Sequence, residues 1–190
     1  MKCPRFGTFL LFFLLSSRVA FSQTDTSIAA RQSVWASIGG GLGTLSTSGG
    51  FCSKLSFSVQ RGQHVFSARA FRIVEFIGDV VEPRSPRPEE IETEVALLYG
   101  RDLSNKGGYF IFSLGVGYII SQHRGVLLDQ PPFGLVHELN SRGSFGAAVD
   151  AQVFIPVSRL LGLGLSLAGN INASRSFGGI LITINIGSFD

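Results

Sequence analysis

Residues 144–172, SFGAAVDAQVFIPVSRLLGLGLSLAGNIN, decide the fold of this chain. On both sides of Pro156 nearly every second residue is apolar, and the residues between them are mainly small or polar. A two-residue period is the signature of a β-strand, because successive side chains of a strand point to opposite faces. A helix would scatter the same apolar residues around its circumference. The stretch therefore predicts two strands.

These strands, at about residues 144–155 and 160–172, form a hairpin around a tight turn at residues 156–159. We predict that Ile155 lies opposite Leu161. In this register the apolar side chains share one face and the small or polar side chains share the other, as expected for a correct strand pairing.

The same alternation runs through nearly the whole chain. It predicts eight strands of about ten residues or slightly more, the length that a tilted strand needs to cross a bilayer. The strands lie at about residues 34–44, 51–61, 64–76, 92–101, 109–120, 144–155, 160–172 and 177–188.

The connections between these strands alternate in length. Tight turns are predicted at residues 62–63, 103–108 and 156–159, and longer loops at residues 44–50, 78–91 and 121–143, while the seventh connection, 173–176, is short. Short turns at one end and long loops at the other are typical of outer-membrane barrels. We therefore predict an all-β fold, an eight-stranded antiparallel up-and-down transmembrane β-barrel.

A soluble barrel and a membrane barrel share this period but point the apolar face in opposite directions. The second faces here are mainly Gly, Ser and Ala with few charges, which suits a narrow lumen better than a water-exposed surface. We predict that the apolar face meets lipid. The alternative is a secreted, soluble, lipocalin-like barrel that binds a small apolar ligand.

The N-terminus has the features of a secretory signal. Lys2 and Arg5 precede the apolar residues 9–15, and the small side chains within residues 20–22 predict cleavage before Gln23. We therefore divide the chain into a signal peptide at residues 1–22, a short segment at 23–33 and the barrel at 34–190.

Export removes the positive charge of the chain. Three of its 16 basic side chains lie in the signal peptide, which leaves 13 to balance 13 acidic side chains. No basic run remains, so we predict no nucleic-acid partner. Cys52 is the only cysteine after residue 22, so no disulfide is expected within the exported chain.

The signal peptide, the eight alternating strands and the segment FIPVSRLLGLGLSLAGNIN at residues 154–172 resemble the small outer-membrane barrels related to outer-membrane proteins A and X. The resemblance is one of architecture over the barrel. It implies a structural or adhesive protein and supplies no catalytic motif. The chain departs from the common assembly signal of such proteins, since Phe189 is penultimate rather than last.

Four charged residues, Lys54, Arg69, Glu94 and Asp150, fall on faces assigned to the lumen. A charge buried in so narrow a space needs a partner. We predict a structural ion-paired cluster that seals the barrel. A proton or ion path is the alternative, although eight strands leave an interior filled by side chains.

Arg72 is the charge that falls on the apolar face. With the turn at residues 62–63 it lies opposite Ser53, roughly 25 Å above the turn at ~3.3 Å per residue and a tilt of ~40°. There an arginine costs about 0–1 kcal/mol and can contact lipid phosphates. The alternative is a β-bulge at residues 70–72 that turns the guanidinium inward.

Other chemistry-bearing residues do not form a recognisable site. The glycines of residues 39–43 lack the following helix and lysine of a phosphate loop. His64, His123 and His137 lie far apart in sequence and have no zinc-helix spacing. An outer-membrane lipid hydrolase needs a Ser-His-acid geometry that we cannot identify. We predict no catalytic residue, no cofactor and no metal.

The predicted external loops differ in character. Residues 78–91 are rich in Pro and Glu, and residues 121–143 contain two apolar runs. Loops on a rigid scaffold often carry function. The expected protein is a non-enzymatic integral outer-membrane barrel, structural or surface-interacting. Its expected partners are outer-membrane lipid, lipopolysaccharide, the barrel assembly machinery and an unknown external ligand.

Overall fold

The computed structural model describes residues 32–45, 48–75, 90–103, 108–129 and 136–189. They form β1 (Gln32–Leu45), β2 (Ser48–Arg61), β3 (His64–Glu75), β4 (Ile91–Asp102), β5 (Tyr109–Asp129), β6 (Val136–Pro156), β7 (Leu161–Ile171) and β8 (Phe177–Ser188). Each strand pairs antiparallel with the next, and β8 pairs with β1 to close the barrel. The predicted eight-stranded antiparallel barrel is confirmed.

Two predictions fall outside these ranges. The signal peptide and its cleavage before Gln23 lie outside the described residues, and so do nearly all residues of the proline-rich connection between β3 and β4. Among the described residues no helix is long and apolar enough to cross a membrane.

The β2–β3 hairpin has the predicted register. Gly62 and Gln63 form the turn, and Ser53 pairs with Arg72. Gly62 has a φ of 60°, a conformation that glycine adopts without a Cβ clash.

The predicted register of the β6–β7 hairpin is wrong by two residues. Ile155 pairs with Leu163, not Leu161. The reason is a wider turn, in which the Ser158 hydroxyl accepts hydrogen bonds from the amides of Leu160 (3.3 Å) and Leu161 (3.1 Å). Because the shift is an even number of residues, the two faces of the hairpin still sort as predicted.

Two predicted loops are largely strand. The pairing of β1 with β2 continues to Leu45 and Ser48, so the predicted loop at residues 44–50 is wrong. Of the predicted loop at 121–143, residues 121–129 and 136–143 belong to β5 and β6, with irregular pairing after Arg124. These segments lack an apolar alternation, but backbone pairing does not require one.

The barrel exterior carries a broad apolar belt. Phe145, Ile182 and Leu97 are 72%, 69% and 67% exposed, and most other outward side chains of the strands are also Leu, Ile, Val or Phe. A soluble monomer rarely exposes so large an apolar surface. The belt argues against the soluble alternative and fits a barrel whose backbone is satisfied internally while its exterior meets lipid.

The interior is layered along the barrel axis. At the end with the short turns, the turn end, lies an aromatic cluster, and at the opposite end, the hairpin end, lies a second apolar cluster, with polar side chains between them. The turn-end cluster comprises Trp35, Val65, Tyr109, Ile111 and Phe154 with Phe189 against it, and the hairpin-end cluster comprises Leu45, Cys52, Phe71, Ile73, Ile119, Ala168, Phe177 and Leu181.

Substitutions at two neighbouring glycines of β1 test whether the close contact of β1 with β8 limits the stability of the barrel. A methyl group on Gly41 would lie 1.9 Å from the Ile180 carbonyl oxygen of β8, whereas one on Gly40 would meet nothing within 4 Å. Gly41→Ala should therefore force β8 away and lower the free energy of unfolding by ~1–3 kcal/mol, as overpacking does. Gly40→Ala is the matched control. Equal urea midpoints for the two variants in detergent would show that the β1–β8 contact does not limit stability.

Candidate functional site

The polar layer at the centre of the barrel contains a lysine–aspartate pair. Lys54 Nζ lies 2.9 Å from Asp150 Oδ2 and 2.7 Å from the Ser166 hydroxyl. The Ser166 hydroxyl in turn donates to Asp150 Oδ1 at 2.9 Å. The three side chains come from β2, β6 and β7, so this contact spans the lumen.

Arg69 forms the second half of the layer. Its Nε donates to Glu94 Oε1 at 3.0 Å, and its Nη1 and Nη2 donate to the carbonyl oxygens of Val149 (2.7 Å) and Gly169 (3.0 Å). Nη1 also lies 3.5 Å from Asp150 Oδ2, which links the two ion pairs. A guanidinium suits this position because its five N–H groups can serve several acceptors at once.

The structure brings all four predicted lumen charges into one network. Lys54, Arg69, Glu94 and Asp150 are 2%, 1%, 0% and 7% exposed, and two cations balance two carboxylates. Asn170 Nδ2 donates to the remaining Glu94 oxygen at 2.6 Å. Such satisfaction is what a buried ion cluster requires, since an unpaired charge there costs several kcal/mol.

Little space remains around this network. A cavity beside Asp150, also lined by Trp35 and Gln152, has a volume of about 10 Å³. That is room for about one water molecule. Further toward the turn end, Gln152 Nε2 donates to Asn185 Oδ1 at 2.7 Å and to the Ser37 hydroxyl at 3.2 Å. The polar layer thus packs tightly.

A second charged cluster closes the hairpin end, and the sequence analysis missed it. Arg175 forms an ion pair with Glu90, donates to the Leu45 carbonyl at 2.9 Å and lies 3.3 Å from His123 Nδ1. His123 Nε2 lies 3.7 Å from Glu92. The cluster ties together the ends of β1, β4, β5 and the β7–β8 connection.

The β7–β8 connection is short because it holds Arg175 in this cluster. Asn172 Oδ1 accepts hydrogen bonds from the amides of Ser174 (2.9 Å) and Arg175 (2.7 Å), and Asn172 Nδ2 donates to the Arg175 carbonyl at 2.6 Å. An Asn that bonds to the backbone two or three residues on is a recognised turn signal. Residues 172–175 carried that signal, but sequence alone did not show where the arginine would reach.

Arg72 lies on the outer face, exposed, as its register requires. The pairings of β3 with β2 and β4 run without a register shift, so the bulge alternative is wrong. Its paired neighbours Ser53 and Thr93 carry hydroxyls and also lie on the outer face. Two residues further along the strands toward the hairpin end, the exterior is apolar again, and Phe51 and Leu42 are exposed there.

The histidines do not form a site together. His64 Nδ1 hydrogen-bonds the Tyr99 hydroxyl at 2.7 Å at the turn end, far along the strands from His123. The side chain of His137 is not described. Within the described ranges no three His, Cys, Asp or Glu side chains are grouped so as to hold a metal ion.

The architecture is that of the small eight-stranded outer-membrane barrels, the class that the sequence resembles. Neisserial surface protein A is similar with a TM-score of 0.57 and 13% identity, covering 82% of this chain and 96% of that chain. Ail, the attachment invasion locus protein of Yersinia pestis, is similar with a TM-score of 0.55 and 8% identity, covering 84% and 99%. Ail in complex with the heparin analogue sucrose octasulfate gives 0.53 and 9%, covering 84% and 99%. No protein-family profile matches the chain, and no curated protein matches it by sequence.

The central network makes a prediction about stability. Asp150→Ala removes the carboxylate that serves both Lys54 and Arg69, and should lower the free energy of unfolding in detergent by ~3–5 kcal/mol, because it strands a buried cation. Glu94→Ala should act similarly through Arg69. The double variant Lys54→Met/Asp150→Leu should recover much of the loss, because no unpaired charge remains at that position.

The control for these variants is Arg101→Ala, which removes an exposed charge that donates to Gln63 at the turn end. It should change the unfolding midpoint little, since exposed pairs contribute about 0–1 kcal/mol. Midpoints for Asp150→Ala and Glu94→Ala equal to that of Arg101→Ala would contradict a stabilising role for the network.

Proposed function

We propose that this chain is a non-enzymatic, non-conducting integral protein of the outer membrane that presents its β5–β6 hairpin to an external partner. The observation that carries the proposal is the unequal height of the strands. The pairing of β4 with β5 reaches Gln122, and that of β6 with β7 begins at Ala147. Beyond these points, residues 123–129 pair with residues 136–140, and β4 and β7 no longer flank this two-stranded ribbon.

This ribbon extends from the barrel by roughly 20 Å along the strand direction, at ~3.3 Å per residue. Residues 140–143 (Asn, Ser, Arg, Gly), at the base of the ribbon, are all exposed. The polar side chains of Asn140, Ser141 and Arg142 suit water rather than lipid. The short turns at the opposite end support assignment of that end to the periplasm and of the ribbon to the cell exterior.

The sealed interior supports the non-conducting part of the proposal. The ion network and the two apolar clusters occupy successive layers of the lumen. Ion passage would have to break buried ion pairs, which is costly. Lipid and lipopolysaccharide around the belt, and the assembly machinery that inserts it, remain the expected partners.

The complex of Ail with the heparin analogue sucrose octasulfate makes a sulfated polysaccharide one candidate to test as the external partner. His123 and Arg142 are described basic residues of the β5–β6 hairpin that could contact such an anion.

Membrane fractionation tests the placement of the protein. It should sediment with outer membranes and require detergent for release, because its apolar belt is exposed. Recovery in a soluble fraction without detergent would refute the placement. In planar bilayers the protein should show no steady conductance; a stable open current from the wild-type barrel would refute the sealed interior.

A shortened ribbon tests its role. Deleting residues 125–138 and joining the strands with a two-residue turn should leave the unfolding midpoint nearly unchanged, since every described member of the interior clusters lies outside that range. The variant should lose binding to host-cell surfaces or immobilised heparin if the wild type binds them. Undiminished binding would assign the interaction to another loop.

Arg72 is proposed to contact lipid phosphate at the outer leaflet. In a Cys52→Ser background, the thiol of the Arg72→Cys variant should be labelled by a reactive probe carried on a lipid head group. Ala70→Cys, two residues nearer the turn end on the same face, is the control for depth. Preferential labelling of the Ala70→Cys variant by that head-group probe would place Arg72 away from the interface and contradict the contact.

A further inference from the structure

The lipid-facing wall contains a groove at the hairpin end, across β6, β7, β8 and β1. It is a wide, open depression with a volume of about 780 Å³, not an enclosed cavity. The groove forms where Gly169 of β7 pairs with Gly178 of β8. Both glycines face outward on strands whose inward neighbours, Ala168 and Phe177, are buried, so two adjacent strands lack side chains at the same height of the belt.

The walls of the groove are apolar and exposed. Leu167, Ile171 and Ile180 are 55%, 64% and 61% exposed and stand beside the two glycines. Leu42 of β1 completes the opposite side at 59% exposure. The groove is thus a depression in a surface that is already apolar on all sides.

The hairpin end of the groove is polar. Thr44 and Ser176 line it there and are both exposed. The depression therefore runs from hydrocarbon-like walls within the belt to hydroxyls at the end assigned to the cell exterior. This order of polarity is that of a membrane lipid, which has an acyl chain below a polar ester and head group.

We propose that this groove binds one acyl chain of an outer-leaflet lipid, with the ester and head group of that lipid at the Thr44–Ser176 end. This inference rests on the membrane placement proposed above. A rigid depression in a lipid-facing wall forfeits dispersion contacts unless it is filled, and a flexible hydrocarbon chain can fill it.

The structure supplies a variant that fills the groove without straining the barrel. A Cβ on Gly178 has its nearest neighbour, the Ala168 carbonyl oxygen, at 3.4 Å, which is ordinary contact, whereas one on Gly169 would lie 2.8 Å from the Phe177 carbonyl oxygen. Gly178→Leu is therefore the test variant. Gly40→Leu is the matched control, because Gly40 is an outward glycine of the same belt outside the groove, with nothing within 4 Å of its Cβ position.

The experiment uses the full barrel in liposomes that contain phosphatidylglycerol with a diazirine in the middle of one acyl chain. After irradiation, mass spectrometry compares adducts on the groove walls Leu167, Ile171 and Ile180 with adducts on an equally exposed reference surface. The reference residues are Val95, Leu97 and Val116, which are 63%, 67% and 64% exposed on β4 and β5.

We expect a several-fold excess of adducts on the groove walls in the wild type and in Gly40→Leu, and loss of that excess in Gly178→Leu. Thr44→Phe, which narrows the groove from β1, gives a second variant should Gly178→Leu fail to assemble. Equal labelling of the two surfaces in the wild type, or an excess that persists in both groove-filling variants, overturns the proposal.

Two other results have distinct meanings. Native mass spectrometry that shows a dimer, abolished by Gly178→Leu but not by Gly40→Leu, overturns the lipid in favour of a second copy of the chain. Absence of adducts on both surfaces overturns the membrane placement itself, and the groove proposal with it.

Discussion

Closure of the sheet through the pairing of β8 with β1 is the constraint on which the rest of the structure depends. In hydrocarbon no water is available to satisfy a free backbone N–H or C=O group, so a sheet with open edges cannot span a bilayer. The ladder from Val34 with Ser188 to Leu45 with Phe177 removes both edges. Glycines permit this closure where a side chain would strike the facing backbone, as at Gly41 against Ile180.

Closure in turn determines what the interior can hold. Eight strands enclose a space that side chains fill, and the described inward residues form an apolar cluster at each end, a small cluster of Ala96, Leu98 and Ala148, and a charged layer. Charges enter such a layer only when they balance and each donor and acceptor is used. Arg69 illustrates the requirement, since it bonds to two carboxylates and two carbonyl groups from three different strands.

Three features of the exterior and the hairpin end distinguish this barrel: the ribbon, the Arg175 cluster and the groove in the apolar belt. The ribbon formed by residues 123–129 and 136–140 extends past the strands that flank it, while the Arg175 cluster links neighbouring strands beneath it. The groove at Gly169 and Gly178 interrupts the apolar belt on the wall that includes β7 and β8. On the function proposed above, such a barrel would act through its outer surfaces and not through its lumen.

The sequence by itself determined the strand number, the antiparallel order and the side of each residue, because a two-residue period survives wherever one face meets lipid and the other the lumen. It also placed Lys54, Arg69, Glu94 and Asp150 inside, since each lies an even number of residues from other small or polar residues of its strand and so shares their face. It failed within residues 121–143, where the apolar alternation disappears although residues 121–129 still pair with residues 136–142.

Only the tertiary structure decided which inward charges meet and at what distance, because their strands come together through barrel curvature and stagger, which no local pattern encodes. The same holds for Arg175, whose partners lie 52 to 130 residues away in the chain. The groove also depends on the tertiary structure, because Gly169 and Gly178 form it only when the β7–β8 register sets them side by side.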